Sequence, residues 1–164
     1  MLRLSVDDDS HDSILEFYID GATLQVELDT SLGLIEQTWL FYRDSFPDVN
    51  YLQLPIGNIT EVVSITYTGG SVSGTDYSID VGRNQLKLNS DVSWPTGTDI
   101  NVAVEFKVGF GTTAASVPQQ LRQAVAMQVG KWFNNPTLDM SEAMSNGDAA
   151  YERLIARYLR SDYP

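Results

Sequence analysis

The spacing of apolar residues changes repeatedly along this chain, and each change marks an element. Ile14, Leu15, Tyr18, Ile19, Ala22 and Val26 recur every three or four positions while Glu16, Asp20 and Glu27 take other faces. That period predicts an amphipathic helix ending between Leu28 and Leu32, before Gly33. Asp7, Asp8, Asp9, Ser10 and Asp12 precede it, with oxygens and negative charge suited to the free N–H groups of a helix start. The period then falls to two. IEQTWLFYRDSFP, closed by Pro47, predicts a strand with Ile35, Gln37, Trp39, Phe41 and Arg43 on one face and Thr38, Leu40 and Tyr42 on the other, both largely covered. YLQLP, ITEVVSITY, DYSIDV and NQLKLN then alternate between turns at Gly69-Gly70 and Gly82-Arg83-Asn84. They predict a β-meander with Val63, Ile65, Tyr67, Tyr77, Ile79, Val81, Leu86 and Leu88 facing inward.

The last strand and the helix after it are written in one stretch, VAVEFKVGFGTTAASVPQQLRQAVAMQVGKWFNN. Val102, Val104, Phe106, Val108 and Phe110 point one way and Asn101, Ala103, Glu105 and Lys107 the other. Past the glycines, Ser116 to Gln119 has the spacing of a capping box and Pro118 fits a first helical turn. Leu121, Ala124, Val125, Val129, Trp132 and Phe133 then form a helical stripe that Asn134-Asn135-Pro136 terminates. TLDMSEAMSNG, residues 137–147, has little periodicity and predicts a flexible connector. A final helix over 148–160 carries an apolar stripe of Tyr151, Leu154, Ile155, Tyr158 and Leu159 and a ridge of Arg153, Arg157 and Arg160. The expected fold is α+β in a single domain over 1–164. An acidic helix (1–32) leads, followed by an antiparallel β-rich region (33–111), a helix (116–135), the connector and a C-terminal helix.

Composition narrows the function. The chain has 164 residues, a formal net charge of −12 and no cysteine, so disulfides and thiolate metal sites are excluded. The charge is uneven. Residues 1–60 hold 11 acids and 2 bases, whereas residues 118–164 hold 5 of each. Such a surface repels phosphates and argues against sequence-specific DNA binding. MLRLSVDDDSHDS lacks the pattern of a secretion signal, and no apolar run approaches the ~20 residues that span a bilayer. The sequence therefore reads as an intracellular product with no membrane partner.

Catalytic chemistry finds little material. His11 is the only histidine, so a serine triad, a cysteine–histidine pair and a two-histidine zinc site cannot be assembled within one chain. The Asp7–Asp9 run lacks the alternate spacing and glycine of a calcium loop. GFGTTAAS precedes a helix but has neither the lysine of a P-loop nor the third glycine of a dinucleotide fingerprint. The expectation is a non-enzyme with no cofactor and no metal. Trp39, Phe41 and Tyr42 read as core residues; with Tyr67 they carry the alternative of a carbohydrate- or receptor-binding β-module. A polysaccharide hydrolase would need two acids facing one cleft.

Taken together, LIEQTW, LQLP leading into ITEVVSITY, SWP, VEFKVGFG and VPQQLRQAVAMQVGKWF resemble the head-tail connector (head completion or adaptor) proteins of tailed double-stranded-DNA bacteriophages. The resemblance spans nearly the whole chain. It is most specific at Gly109-Phe110-Gly111, Val117-Pro118, Leu121, Ala124 and Trp132. The chain departs from the pattern at Gly57-Asn58, where family members often keep a second proline, and at its ARYLRSDYP tail.

The resemblance implies a virion component made in the bacterial cytoplasm. It would form a homo-oligomeric ring, usually of about twelve copies, beneath the portal at the neck and offer a platform to the next neck or tail protein, while DNA passes through without sequence-specific binding. Closing a ring by rotation joins unlike patches, and the charge distribution suggests which ones. Asp12, Glu16 and Asp20 of one copy are expected to face Arg153 and Arg157 of the next. The C-terminal helix and tail, with Arg160 and Tyr163, are expected to meet the portal. The loop carrying Gly69, Gly70 and Gly74 is expected to meet the next neck protein.

Overall fold

A computed structural model describes residues 12–97, 100–134 and 149–159. In chain order the elements are α1 (Asp12–Thr30), β1 (Gln37–Arg43), β2 (Tyr51–Gln53), β3 (Ile59–Tyr67), β4 (Gly70–Ser71), β5 (Tyr77–Asp80), β6 (Gln85–Leu88), β7 (Val102–Val108), a 3-10 turn (Ala114–Ser116), α2 (Gln119–Asn134) and α3 (Ala149–Ile155). The α+β class is as expected. The expected Asp7–Asp9 cap and the 137–147 connector lie outside the described residues. The chain divides into two compact units, one holding the three helices and one spanning residues 31–116.

In the helical unit α1 packs on α2, and α3 touches both. Burial follows the spacing of the apolar residues: Ala22 and Val26 on α1, Leu121, Ala124 and Val129 on α2, and Tyr151 and Ile155 on α3. Thr30 is buried too, its hydroxyl donating to the Val26 carbonyl at 2.7 Å. The expected capping box is replaced at the start of α2 by the carbonyl of Pro118, which accepts from the N–H groups of Leu121 and Arg122.

A hydrogen bond ties α3 to α1: the Tyr151 hydroxyl donates to an Asp29 carboxylate oxygen at 2.6 Å. Burial first, and then this bond, push the phenol's pKa well above its ordinary 10.0. Unfolded, Tyr151 ionises near that ordinary value, whereas folded it keeps its proton. Stability from this group is therefore complete below about pH 10 and falls as pH rises beyond it. Tyr151→Phe should cost about 1–2 kcal/mol at neutral pH and should shallow the alkaline decline. Urea midpoints measured from pH 7 to 11 check both. Tyr77, also raised by burial, leaves a residual slope.

The β unit holds two antiparallel sheets where one continuous meander was expected. The first has the order β1-β7-β3-β4 and the second β2-β6-β5. The two predicted glycine turns do close hairpins, β3–β4 and β5–β6. In the latter the Asp80 carboxylate accepts from the Arg83 N–H at 3.1 Å. β7 runs through the centre of the first sheet, which is why its alternation is so regular: Val102, Val104, Phe106 and Val108 are buried and the residues between them are half-covered.

Two predicted faces need correction. Val63 is 46% exposed, because the register of β3 against β7 slips between Ile59 and Glu61 and again between Val62 and Ser64. Each slip is a bulge that puts one extra residue on β3, so Ile59, Val62 and Ile65 lie opposite the inward residues Val108, Phe106 and Val104. Val81 is likewise exposed, since β5 ends at Asp80 and Val81 enters the turn.

The core of this unit gathers Leu52, Leu54, Ile56, Ile59, Ile65, Leu86 and Leu88 around β7. Trp94 seals it, stacking on Phe46 at 5.0 Å with a 7° interplanar angle and donating its indole N–H to the Val49 carbonyl at 2.9 Å. The joint after β7 is clamped on both sides of two left-handed glycines. Gly109 (φ 134°) donates to the Asn58 carbonyl at 3.1 Å, and the carbonyl of Gly111 (φ 146°) accepts from the Glu36 N–H at 2.9 Å.

Candidate functional site

The residues expected to make contacts belong to three places. Asp12, Glu16 and Asp20 lie on α1, one turn apart, and all are exposed. Arg153 and Arg157 are exposed at and just past the end of α3, also one turn apart. Among the described residues neither group forms an ion pair; the salt bridges there are Arg83–Asp80 at 3.8 Å and Lys107–Glu61 at 2.7 Å. Arg160 and Tyr163 lie outside the described residues. Gly69 (φ 104°) turns the β3–β4 hairpin and Gly74 stands in the loop beyond it with open space around it, so this tip is small and exposed.

The structure also exposes apolar residues that reading by period missed. On α1, Phe17, Leu24 and Leu28 are 73%, 56% and 67% exposed; Ile14 and Ile19, expected on the packed face, are exposed as well, since they lie toward the edges of the side centred on Ala22 and Val26. Leu24 stands two residues from both Ala22 and Val26, and two residues is ~200° of helical turn, so this stripe lies opposite the packed face. The signal was present as spacings of seven and four. A search for one apolar face passes over a second one.

β1 was expected to be covered on both faces. It is instead the edge of its sheet, with Trp39, Leu40 and Tyr42 all exposed. Periodicity cannot separate an edge strand from a central one, because both alternate. Register shows that these aromatics do not form one flat platform. Trp39 lies opposite Phe106 and Tyr42 opposite Ala103, on opposite faces of the sheet. Tyr67 is spent elsewhere, packing edge-on to Phe46 at 5.8 Å. On the Tyr42 face the ammonium of Lys107 is held protonated above its ordinary pKa, first by its hydrogen bond to Glu61 and then by that carboxylate's charge.

For catalysis the described residues offer little grouping: no three of His, Asp and Glu there come together as a metal site. No described helix is long and apolar enough to cross a membrane.

No protein-family model and no curated protein sequence matches the chain. Solved structures do. A chain in the neck of an empty gene transfer agent (GTA) particle, computed with C6 symmetry, matches with a TM-score of 0.81 at 20% identity, over 99% of this chain and 86% of its own. A chain in the native particle's neck, computed with C12 symmetry, matches at 0.78 and 22% identity over 95% of this chain and 87% of its own. The protein shares its fold with a chain of the gene transfer agent neck. A match to the virion of the native particle, at 0.76 and 20% identity, covers 99% of this chain and 87% of that one. The fold that the sequence resemblance implied is therefore the fold observed, through both units and nearly end to end.

Proposed function

We propose that the protein is a structural, non-enzymatic neck subunit of a phage-like particle. Copies close into a ring that joins the portal of the DNA-filled head to the next neck or tail component and lets DNA through. One observation carries this reading: 99% of the chain matches, at a TM-score of 0.81, a chain from a neck of rotational symmetry. The twelve-fold symmetry of the related native neck suggests the copy number.

Charge supports the passage of DNA. A lumen that attracted phosphates would hold the genome through many contacts, each adding to a salt-dependent affinity, whereas a chain carrying −12 presents repulsion. The test is co-assembly. Purified chain mixed with portal rings should give a second stacked ring by electron microscopy, and a basic lumen in that ring would reject the sliding argument.

Within the ring, the exposed acids of α1 pair with Arg153 and Arg157 of the adjoining copy. The tail beyond α3 faces the portal, and the loop carrying Gly69, Gly70 and Gly74 faces the next neck component. Exposed charges steer and register more than they bind, and salt screens them. Arg153→Glu with Arg157→Glu should accordingly reduce ring yield severalfold at low salt and much less at high salt. Native mass spectrometry at two ionic strengths reads the difference, and an unchanged oligomer mass removes this pairing.

A further inference from the structure

The outward face of α1 is not accounted for by the packing of α1 on α2 and α3. Isolated exposed apolar residues are ordinary on any protein. Here Phe17, Leu24 and Leu28 share one side of a helix whose other side is already committed to α2, and from Phe17 to Leu28 the stripe runs ~17 Å. Glu16 and Asp20 lie along one edge of it. Exposed large apolar residues aligned on one side of a helix and edged by charge mark an interaction surface.

The same chain carries a complement. Tyr151 and Ile155 turn one side of α3 inward. The other side shows Ala149 and Arg153, with Ala156 and Arg157 in the turn that follows, all exposed; Glu152 stands at its edge, and the two arginines leave the surface net positive. Small side chains there leave room for large ones, and the arginine stems are apolar up to their guanidinium groups. The two faces are opposite in charge and unlike in shape, and neither set of charges is paired among the described residues. A foreign partner would need only one of them. A ring closed by rotation needs two unlike patches on one chain, and this chain supplies both.

We propose that the occupant of the α1 stripe is the α3 face of a second copy. Phe17, Leu24 and Leu28 of one subunit lie on the Ala149 and Ala156 surface of the next, and Glu16 and Asp20 face Arg153 and Arg157. This rests on the ring reading and adds to it the source of adhesion. Apolar burial holds neighbours together, and the charge pairs set which helix meets which.

Because the chain has no cysteine, engineered thiols meet no competitor. Full-length L24C and R153C chains, mixed and oxidised at high concentration, should give disulfide dimers joining the two variants well in excess of dimers of either alone. Mixed dimers no more abundant than the two homotypic ones overturn the proposal. A second measurement separates this proposal from the reading beneath it. F17S/L28S, whose changes fall on exposed positions, should keep the far-ultraviolet circular dichroism of the parent and lose stacked rings on portal by at least tenfold. Rings that survive the double change reject the stripe and leave the ring reading intact. Parent chain that forms no ring on portal rejects the ring reading itself.

Discussion

Gly109→Ala should be among the most damaging single-methyl additions in the chain, lowering the stability of the β unit by about 3 kcal/mol or more. Two independent costs meet at this position. Its φ of 134° lies where L-residues are strained, and an added Cβ would stand 2.6 Å from both the Cα and the N of Glu36. Those are backbone atoms and cannot swing aside as a side-chain tip would. Relief would require moving Glu36, whose N–H donates to Gly111, or withdrawing the Gly109 N–H from Asn58. Gly74→Ala is the matched control, with open space around it and no left-handed φ, and should change stability by less than about 0.5 kcal/mol. Urea denaturation of the two variants beside the parent checks the contrast. Comparable loss in both would mean that the joint is not clamped as described.

Phe106→Ala should cost the same unit about 3–5 kcal/mol, the range for removing a buried aromatic ring. Phe106 is completely buried at the middle of the central strand, opposite Trp39 on one side and Val62 on the other. Backbone pairing on both flanks hinders β7 from moving in to fill the space left behind, so the upper part of that range is expected. Trp39→Ala, on the partly exposed edge strand, should cost far less. Tryptophan fluorescence follows the unfolding of the Phe106 variant directly, since Trp94 is buried in the same core. A loss below about 1.5 kcal/mol would show that the sheet relaxes into the cavity.

The fold was legible in the sequence wherever one face of an element is buried and the other is wet. β7 could be read through Val102, Val104, Phe106 and Val108, which alternate along a strand paired on both sides, but not at Phe110, because the left-handed Gly109 ends the strand first. α2 was legible for the same reason in a different period. β3 was read with the wrong face at Val63, since bulges come from pairing with β7 and leave no mark on β3 alone. β1 looked covered because aromatic and β-branched residues fill it, yet whether a strand ends up at an edge depends on the order of strands, a property of the whole sheet.

The contact residues divide along similar lines. Charges such as Glu16, Asp20, Arg153 and Arg157 could be placed on the surface from sequence, because a charged side chain is seldom buried unpaired. Phe17, Leu24 and Leu28 could not, because an apolar residue on a helix is assigned to the core by default. Only the packing of α1 on α2 shows which of its two apolar sides the protomer uses.

The two bulges of β3 have a consequence for how this strand tolerates changes of length. Thr60 and Val63 are the residues with no opposite number on β7. Excising either would iron out a kink while Ile59, Val62 and Ile65 kept their places, whereas removing Ala103 or Glu105 from β7 would throw every neighbour in the ladder out of phase. Shortening the corrugated strand by one residue should thus be tolerated, whereas the straight one is held to a fixed count.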